Sequence, residues 1–310
     1  MPIEVISGLA PTRPVLLAGQ GLDRPSPLLK NCTGAIETMD RTFRDLEHEG
    51  WMEKAGAYDE MFALITRQAI SPMLDTFAPL TGRRFLDIGC GTGHLAAEAA
   101  IRGAQSEGID FARAMVATAS KNYPQVLFRE GDAENLPQGG DEFDAVACSF
   151  GIHHLTNRER GASEAYRVLK PGGRFTFTVW ASPEQGHKFM AVVFGAVRKY
   201  GTMEVDLPSA PPIIQFTDAK ETESFLAEAN FEPPSIEILP LVWKAKRAED
   251  VLDLIYRSIV RLPMILNAQT ESARENIHAT IIEQFRRFES GGGIEVPFPA
   301  VMISAGKPVG

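Results

Sequence analysis

The amino-acid sequence predicts an α/β fold built on a doubly wound, mostly parallel sheet, and three observations carry that prediction. Between residues 84 and 180, short apolar runs alternate with amphipathic stretches at close spacing, the pattern of strands joined by crossover helices. One of these runs ends in three glycines at alternate positions, Gly89, Gly91 and Gly93, where a strand would turn sharply into a helix. Beyond residue 180 the alternation loosens into helical segments, as expected of insertions covering the carboxyl edge of such a sheet, where ligands bind.

Taken in order, residues 1–34 are rich in Pro and Gly, lack periodicity and read as an irregular arm. Residues 35–80 read as a helical lid. In it Trp51, Ala55, Tyr58, Phe62, Ile65 and Ala69 recur at three- and four-residue intervals, and Pro72 is expected to break or kink the helix. The main domain is expected over 81–310. Its strands are placed at Arg84–Gly89, Gln105–Asp110, Val126–Glu130, Phe143–Ser149 and Arg174–Trp180. Helices are placed at Leu95–Arg102, Ala112–Lys121 and Arg158–Leu169, the last stopped by Pro171-Gly172-Gly173. Later helices are read at His187–Lys199, Asp218–Asn230, 248–262 and 271–289, with a Pro-rich connector at 208–212. Single strands are expected at Ile236–Lys244 and Val296–Ala305. Helical cap insertions then fall at about 181–216 and 245–293.

Composition narrows the function classes. The chain has 310 residues, 44% apolar and 23% charged, which is ordinary globular composition and long enough to bury a core. Its formal charge is -9 and no basic stripe is present, so nucleic acid is a poor partner. Cys32, Cys90 and Cys148 are widely spaced, odd in number and form no CxxC pair. That argues for reduced thiols in a cytoplasmic protein rather than a disulfide framework. His48, His187 and His278 lack ligand-type neighbours at metal spacing, so no metal site is expected. No apolar run reaches the roughly 18–20 residues that span a bilayer, and prolines and glycines interrupt the start where a secretory signal would be unbroken.

The informative segment is Phe85-Leu86-Asp87-Ile88-Gly89-Cys90-Gly91-Thr92-Gly93-His94. A dinucleotide fold spaces its glycines G-x-G-x-x-G, but here the third glycine comes one residue early and His94 stands where that pattern needs it. A carboxylate at Asp87 repels a diphosphate but suits a ligand carrying an ammonium and a sulfonium. The segment resembles motif I of the class I S-adenosylmethionine-dependent methyltransferases, and further stations come in that family's order from about residue 55 to 240. The resemblance is nearest to the small-molecule branch that includes quinone-ring C-methyltransferases.

That resemblance implies a sheet of seven strands in an order resembling 3-2-1-4-5-7-6. It likewise implies S-adenosyl-L-methionine as the cofactor, S-adenosyl-L-homocysteine as the product, and a small molecule as the acceptor. Carried over from the family's pattern, Asp87, Gly89, Cys90, Gly91 and Gly93 form the cofactor loop. By the same resemblance Asp110 accepts from both ribose hydroxyls, Asp132 from the adenine amino group, and the Ala133 amide meets the ring. Phe111 and Met115 would sandwich the adenine, and the Ser149 carbonyl would hold the ammonium. Tyr58, paired in sequence with Asp59, would close over the methionine end, as in relatives. Leu169-Lys170-Pro171-Gly172-Gly173 is the family's usual entry to strand five.

An acceptor that carries a proton at attack needs a general base. The candidates come after strand four, His154 being favoured over His153, while Phe150 and Trp180 wall the acceptor pocket and His94 packs or caps. An apolar acceptor such as a quinone, polyketide or terpenoid fits this reading. The chain departs from relatives that methylate nucleic-acid bases, for Ser149-Phe150-Gly151 replaces their Asn-Pro-Pro-Tyr run, and it lacks the reactive cysteines of arsenite methyltransferases. Two rivals stay open, a pseudo-enzyme that binds the cofactor without methyl transfer and a nicotinamide oxidoreductase.

Overall fold

The computed structural model describes residues 41–310, so the arm expected over 1–34, the start of the lid and Cys32 lie outside the described residues. The first helix, α1 (Phe43–Ala57), starts on a capping box in which Thr42 and Asp45 satisfy each other's backbone amides. The chain then widens into a single π-turn, Tyr58–Phe62, and continues through α2 (Ala63–Thr66) and a 3-10 turn, Arg67–Ala69, to α3 (Ile70–Asp75). The one helix expected over this stretch is therefore segmented. Pro72 lacks an N–H and its ring crowds the carbonyl four residues back, which is where the 3-10 turn lies.

The strands of the main sheet are β1 (Arg84–Ile88), β2 (Gln105–Asp110), β3 (Leu127–Glu130), β4 (Phe143–Ser149), β5 (Leu169–Trp180), β6 (Ser235–Leu239) and β10 (Ala300–Gly306), in the order β3-β2-β1-β4-β5-β10-β6. The first five are parallel, and β10 runs antiparallel to both β5 and β6. This is the expected seven-stranded order, β10 being the seventh strand. Both faces are covered. Phe85, Ala145, Ala147 and Met302 belong to one apolar cluster, while Leu86, Val146, Cys148 and Ile303, their neighbours in sequence, belong to the other. Alternation into two cores explains why these strands read as continuous apolar runs rather than as every second residue.

Helices α4 (His94–Ile101), α5 (Arg113–Asn122) and α6 (Arg158–Val168) are the crossovers, and α8 (Ala219–Glu228) packs beside α6 on the second core. Helices α7 (Lys188–Tyr200), α9 (Asp250–Ser258), α10 (Arg261–Asn267) and α11 (Glu271–Arg286) enlarge the first core. Three expectations are corrected. The strand expected over Ile236–Lys244 is two, β6 and β7 (Val242–Ala245), because Pro240 interrupts it. The strand expected over Val296–Ala305 likewise splits at Pro297-Phe298-Pro299 into β9 (Gly293–Pro297) and β10, and β7, β9 and β8 (Glu289–Ser290) form a separate antiparallel sheet. The helix expected over 248–262 ends at Ser258, and a new one begins at Arg261.

Candidate active site

The strand-to-helix turn after β1 is the foundation of the site. Gly89, Gly91 and Gly93 take φ of +66°, +51° and +89°, conformations that a side chain strains. At Gly93 packing adds a second constraint, since a Cβ would stand 2.7 Å from the Phe128 ring and 2.9 Å from the Ala119 methyl. The loop is tied to β2 by the Cys90 amide, which donates to the Ile109 carbonyl at 3.0 Å, and by the Gly91 amide, which donates to Asp110 Oδ2 at 2.9 Å. The other oxygen of Asp110 accepts from the Ala112 amide at 2.8 Å. Each carboxylate oxygen thus keeps a second lone pair for ligand hydroxyls. Burial raises Asp110 above its ordinary carboxyl range, with the two amides opposing it.

Asp87 is 1% exposed. Its Oδ2 accepts from the Ala96 amide at 3.1 Å, but its buried Oδ1 has no partner among the described residues, and neither has the buried Thr92 hydroxyl. Burial pushes the Asp87 carboxyl up to about 8, partly offset by the Ala96 amide and reinforced by Asp110. A buried acceptor without a donor is costly. Asp87 and Thr92 line a recess whose rim carries the exposed Arg67. An acid, a hydroxyl and a guanidinium so placed suit the ammonium and carboxylate of an α-amino acid.

The recess adjoins a cleft of about 880 Å³, counting its open mouth. Tyr58, Gly89, Gly91, Asp110, Phe111, Met115, Asp132, Ala133, Ser149, Phe150, His153, His154 and Trp180 all line it. Asp87 and Cys90 line the recess, and Gly93 lies behind both, packed on Phe128. Residues distant in sequence therefore meet at the carboxyl ends of β1, β2, β4 and β5. Asp132 is already engaged, for Oδ1 accepts from the Glu134 amide at 2.9 Å and Oδ2 pairs with Arg44 at 2.9 Å.

One end of the cleft is aromatic. Phe150 adopts φ +53°, a left-handed conformation unusual outside glycine, and its amide donates to Thr178 Oγ1 at 3.1 Å. Its ring stacks on Trp180 at 4.1 Å between centroids, and Phe62 meets Trp180 edge-on at 5.6 Å. Tyr58 meets Trp51 edge-on at 5.5 Å, its hydroxyl lies 3.2 Å from Thr66 Oγ1, and burial pushes that hydroxyl up to about 12.

The two histidines differ. His153 is 6% exposed, its Nδ1 has no partner among the described residues, and burial holds it well below the ordinary imidazole value, hence neutral. His154 is half-buried, and its Nδ1 lies 2.7 Å from Glu47 Oε2 on α1. The same oxygen accepts from the Trp51 indole N–H at 3.0 Å. His94 bridges Asp59, 2.7 Å from Nε2, and the Tyr123 hydroxyl, 2.6 Å from Nδ1, and so clasps the π-turn to α4 and α5.

Sequence reasoning missed Arg44, Glu47, Trp51 and Arg67 as groups of the site. The available signal was local: Glu47 and Trp51 are four apart on the periodic face of the first helix, so a carboxylate stood where an apolar residue was due.

The family model described as a methyltransferase domain matches residues 86–177. A demethylmenaquinone methyltransferase of Beutenbergia cavernae is 37% identical over 110 residues, 36% of this chain and 46% of the relative. A ubiquinone/menaquinone biosynthesis C-methyltransferase of Geotalea daltonii is 30% identical over 168 residues, 48% of this chain and 70% of the relative. The chain spans about half the length of most of the curated relatives it matches. Among solved structures, a Haemonchus contortus phosphoethanolamine N-methyltransferase bound to phosphomonomethylethanolamine and S-adenosylhomocysteine is similar in fold. Its TM-score is 0.53 at 21% identity, covering 86% of this chain and 60% of that one.

Proposed function

We propose, from the premise that this chain belongs to the class I S-adenosylmethionine-dependent methyltransferases, that it transfers a methyl group from S-adenosyl-L-methionine to a small aromatic acceptor of quinone type. One observation carries the reading most of the way. Two buried carboxylates, Asp87 and Asp110, end adjacent strands on either side of a glycine turn, and one of them keeps an oxygen with no donor among the described residues. An ammonium satisfies that oxygen and draws out its anion; a diphosphate in its place would bring negative charge and no donor to two buried acids.

When bound, the cofactor supplies a methyl carbon activated by its sulfonium. This chain's residues divide the remaining work. Asp87, with the Ser149 carbonyl and Arg67, holds the amino-acid end, and the Gly89–Gly93 amides and Cys90 line its path. Asp110 holds the ribose, while Phe111, Met115, Ala133 and Asp132 hold the adenine. Phe150 and Trp180 form a flat wall for a ring, and His154 receives the acceptor's proton. Helices over 43–75, which line the cleft with Trp51, Tyr58 and Phe62, serve as a lid that excludes water and lets positioning dominate the barrier, while those over 188–200 and 250–286 cap the first core outside the cleft's lining. The setting is cytoplasmic, with Cys90 and Cys148 as reduced thiols, and nucleic acid is not a substrate.

The reading is tested by calorimetric titration with S-adenosyl-L-methionine, followed by mass detection of labelled methyl groups on reduced quinones. Binding with release of S-adenosyl-L-homocysteine in the presence of a quinol supports it. A chain that binds the cofactor but methylates no small molecule refutes methyl transfer, and one that binds NADH instead refutes the site.

A further inference from the structure

Glu47 stands where an amphipathic helix has no structural use for a carboxylate. It is 3% exposed on α1. Removing an acid from water costs several kcal/mol unless it is paired, so a buried acid is kept only where its partners matter. Those partners are the Trp51 indole and His154, both on the cleft. A carboxylate that accepts Nδ1–H fixes the imidazole tautomer and leaves the lone pair on Nε2. No side chain among the described residues engages that nitrogen. The charged and titratable groups around the pair are Glu47 itself on α1, Arg261 of α10 interacting with Glu47, His153 in the same turn as His154 with Arg158 behind it, and Asp110 at the end of β2.

We propose, resting on the methyl-transfer reading, that Glu47 is a positioning residue that makes His154 Nε2 a general base toward the acceptor's ring hydroxyl. Trp51, edge-on to His154 at 5.1 Å, and the stacked Phe150 and Trp180 give the ring its apolar surroundings. Nε2 takes the hydroxyl proton, and the negative charge spreads to the neighbouring ring carbon. A carbon–carbon bond forms there as the cofactor's carbon–sulfur bond breaks, its electron pair leaving on sulfur. The ring carbon then gives its own proton to water as aromaticity returns, and the oxygen regains a proton from His154. One proton is released per methyl group, and His154 ends neutral.

The test uses the full chain with 1,4-dihydroxynaphthalene, kept from oxidation by excluding oxygen, as acceptor and the variant Glu47→Gln, which keeps shape and removes charge. We expect kcat to fall about 10–100-fold, the scale of losing an orienting partner, with the cofactor Kd within about twofold of the parent. The deficit should narrow as pH climbs toward about 10, where a phenol ionises unaided. A purely structural role for Glu47 gives a deficit independent of pH, and that result overturns the proposal. Nitrogen-15 NMR gives a readout free of turnover: the resonance missing in His154→Asn should show the proton on Nδ1 in the parent chain, and a proton on Nε2 overturns the dyad. A parent chain that binds the cofactor yet leaves dihydroxynaphthalene unmethylated overturns the acceptor class. Failure to bind the cofactor at all overturns the methyl-transfer reading instead, while the NMR tautomer still reports on Glu47 and His154.

Discussion

Asp87 should make cofactor binding depend on pH, and the size of the effect comes from its burial. With the carboxyl pushed up to about 8, about one molecule in ten of the ligand-free protein carries the anion at pH 7 and about one in a hundred at pH 6. Only the anion complements an ammonium, so the apparent Kd for S-adenosyl-L-methionine should tighten about tenfold from pH 6 to pH 7, or about 1.4 kcal/mol. The gain should level off near pH 8, where the cofactor's own α-amino group begins to lose its proton. Calorimetry at pH 6 in buffers of different ionisation enthalpy should register about one proton released per cofactor bound. A Kd that does not change between pH 6 and pH 7, with no proton released, would refute the argument that Asp87 binds the ammonium. Asp87→Asn should flatten the profile and weaken binding. The same change should stabilise the ligand-free protein at pH 8. The folded carboxyl keeps its proton to about 8 while the unfolded one releases it near 3.8, so the native carboxyl erodes stability as pH rises through that window.

Three further outcomes are expected. Asp110→Ala should weaken cofactor binding by about 1.5–3 kcal/mol, the range for hydrogen bonds to a charged group, and an unaltered Kd would remove Asp110 from the ribose. Gly93→Ala combines a left-handed backbone with contacts of 2.7 Å and 2.9 Å, and should cost about 2–5 kcal/mol in urea unfolding from strain and overpacking together; an unmoved midpoint would contradict the contact geometry. Trp180→Ala should lower stability by about 3–5 kcal/mol and raise KM for a quinol while leaving the cofactor Kd in place, so a loss confined to cofactor binding would place Trp180 on the wrong ligand.

The cofactor half of the fold was legible because its signals are local. A strand that must turn within a few residues shows its glycines in sequence, and strands buried on both faces show as apolar runs. The later strands were harder. Pro240 and the Pro297–Pro299 segment each mark a point where the chain leaves one sheet for another, and apolar residues on both sides masked the break. The candidate site divides in the same way. The glycine loop showed in its own spacing, and the family resemblance pointed to Asp110 and the residues after β4 as candidates. Glu47 with His154 and Arg44 with Asp132 could not be found either way, being 107 and 88 residues apart and joined only by packing of α1 over the cleft. Arg67 was hidden for another reason, since it reaches the recess through the 3-10 turn that Pro72 imposes.

The placement of β10 between β5 and β6 sets an order on assembly. Everything from β1 to β5 is drawn from residues 84–180 and pairs with near neighbours, so a chain emerging from the ribosome can lay down the glycine turn, Asp87 and Asp110 early. β6 is made long before it has an edge to join, because its berth exists only once residues 300–306 have threaded alongside β5. Pairings across such sequence distances are slow to form. Until then β6, though already made, has no strand to pair with, and the sheet stays open beyond β5.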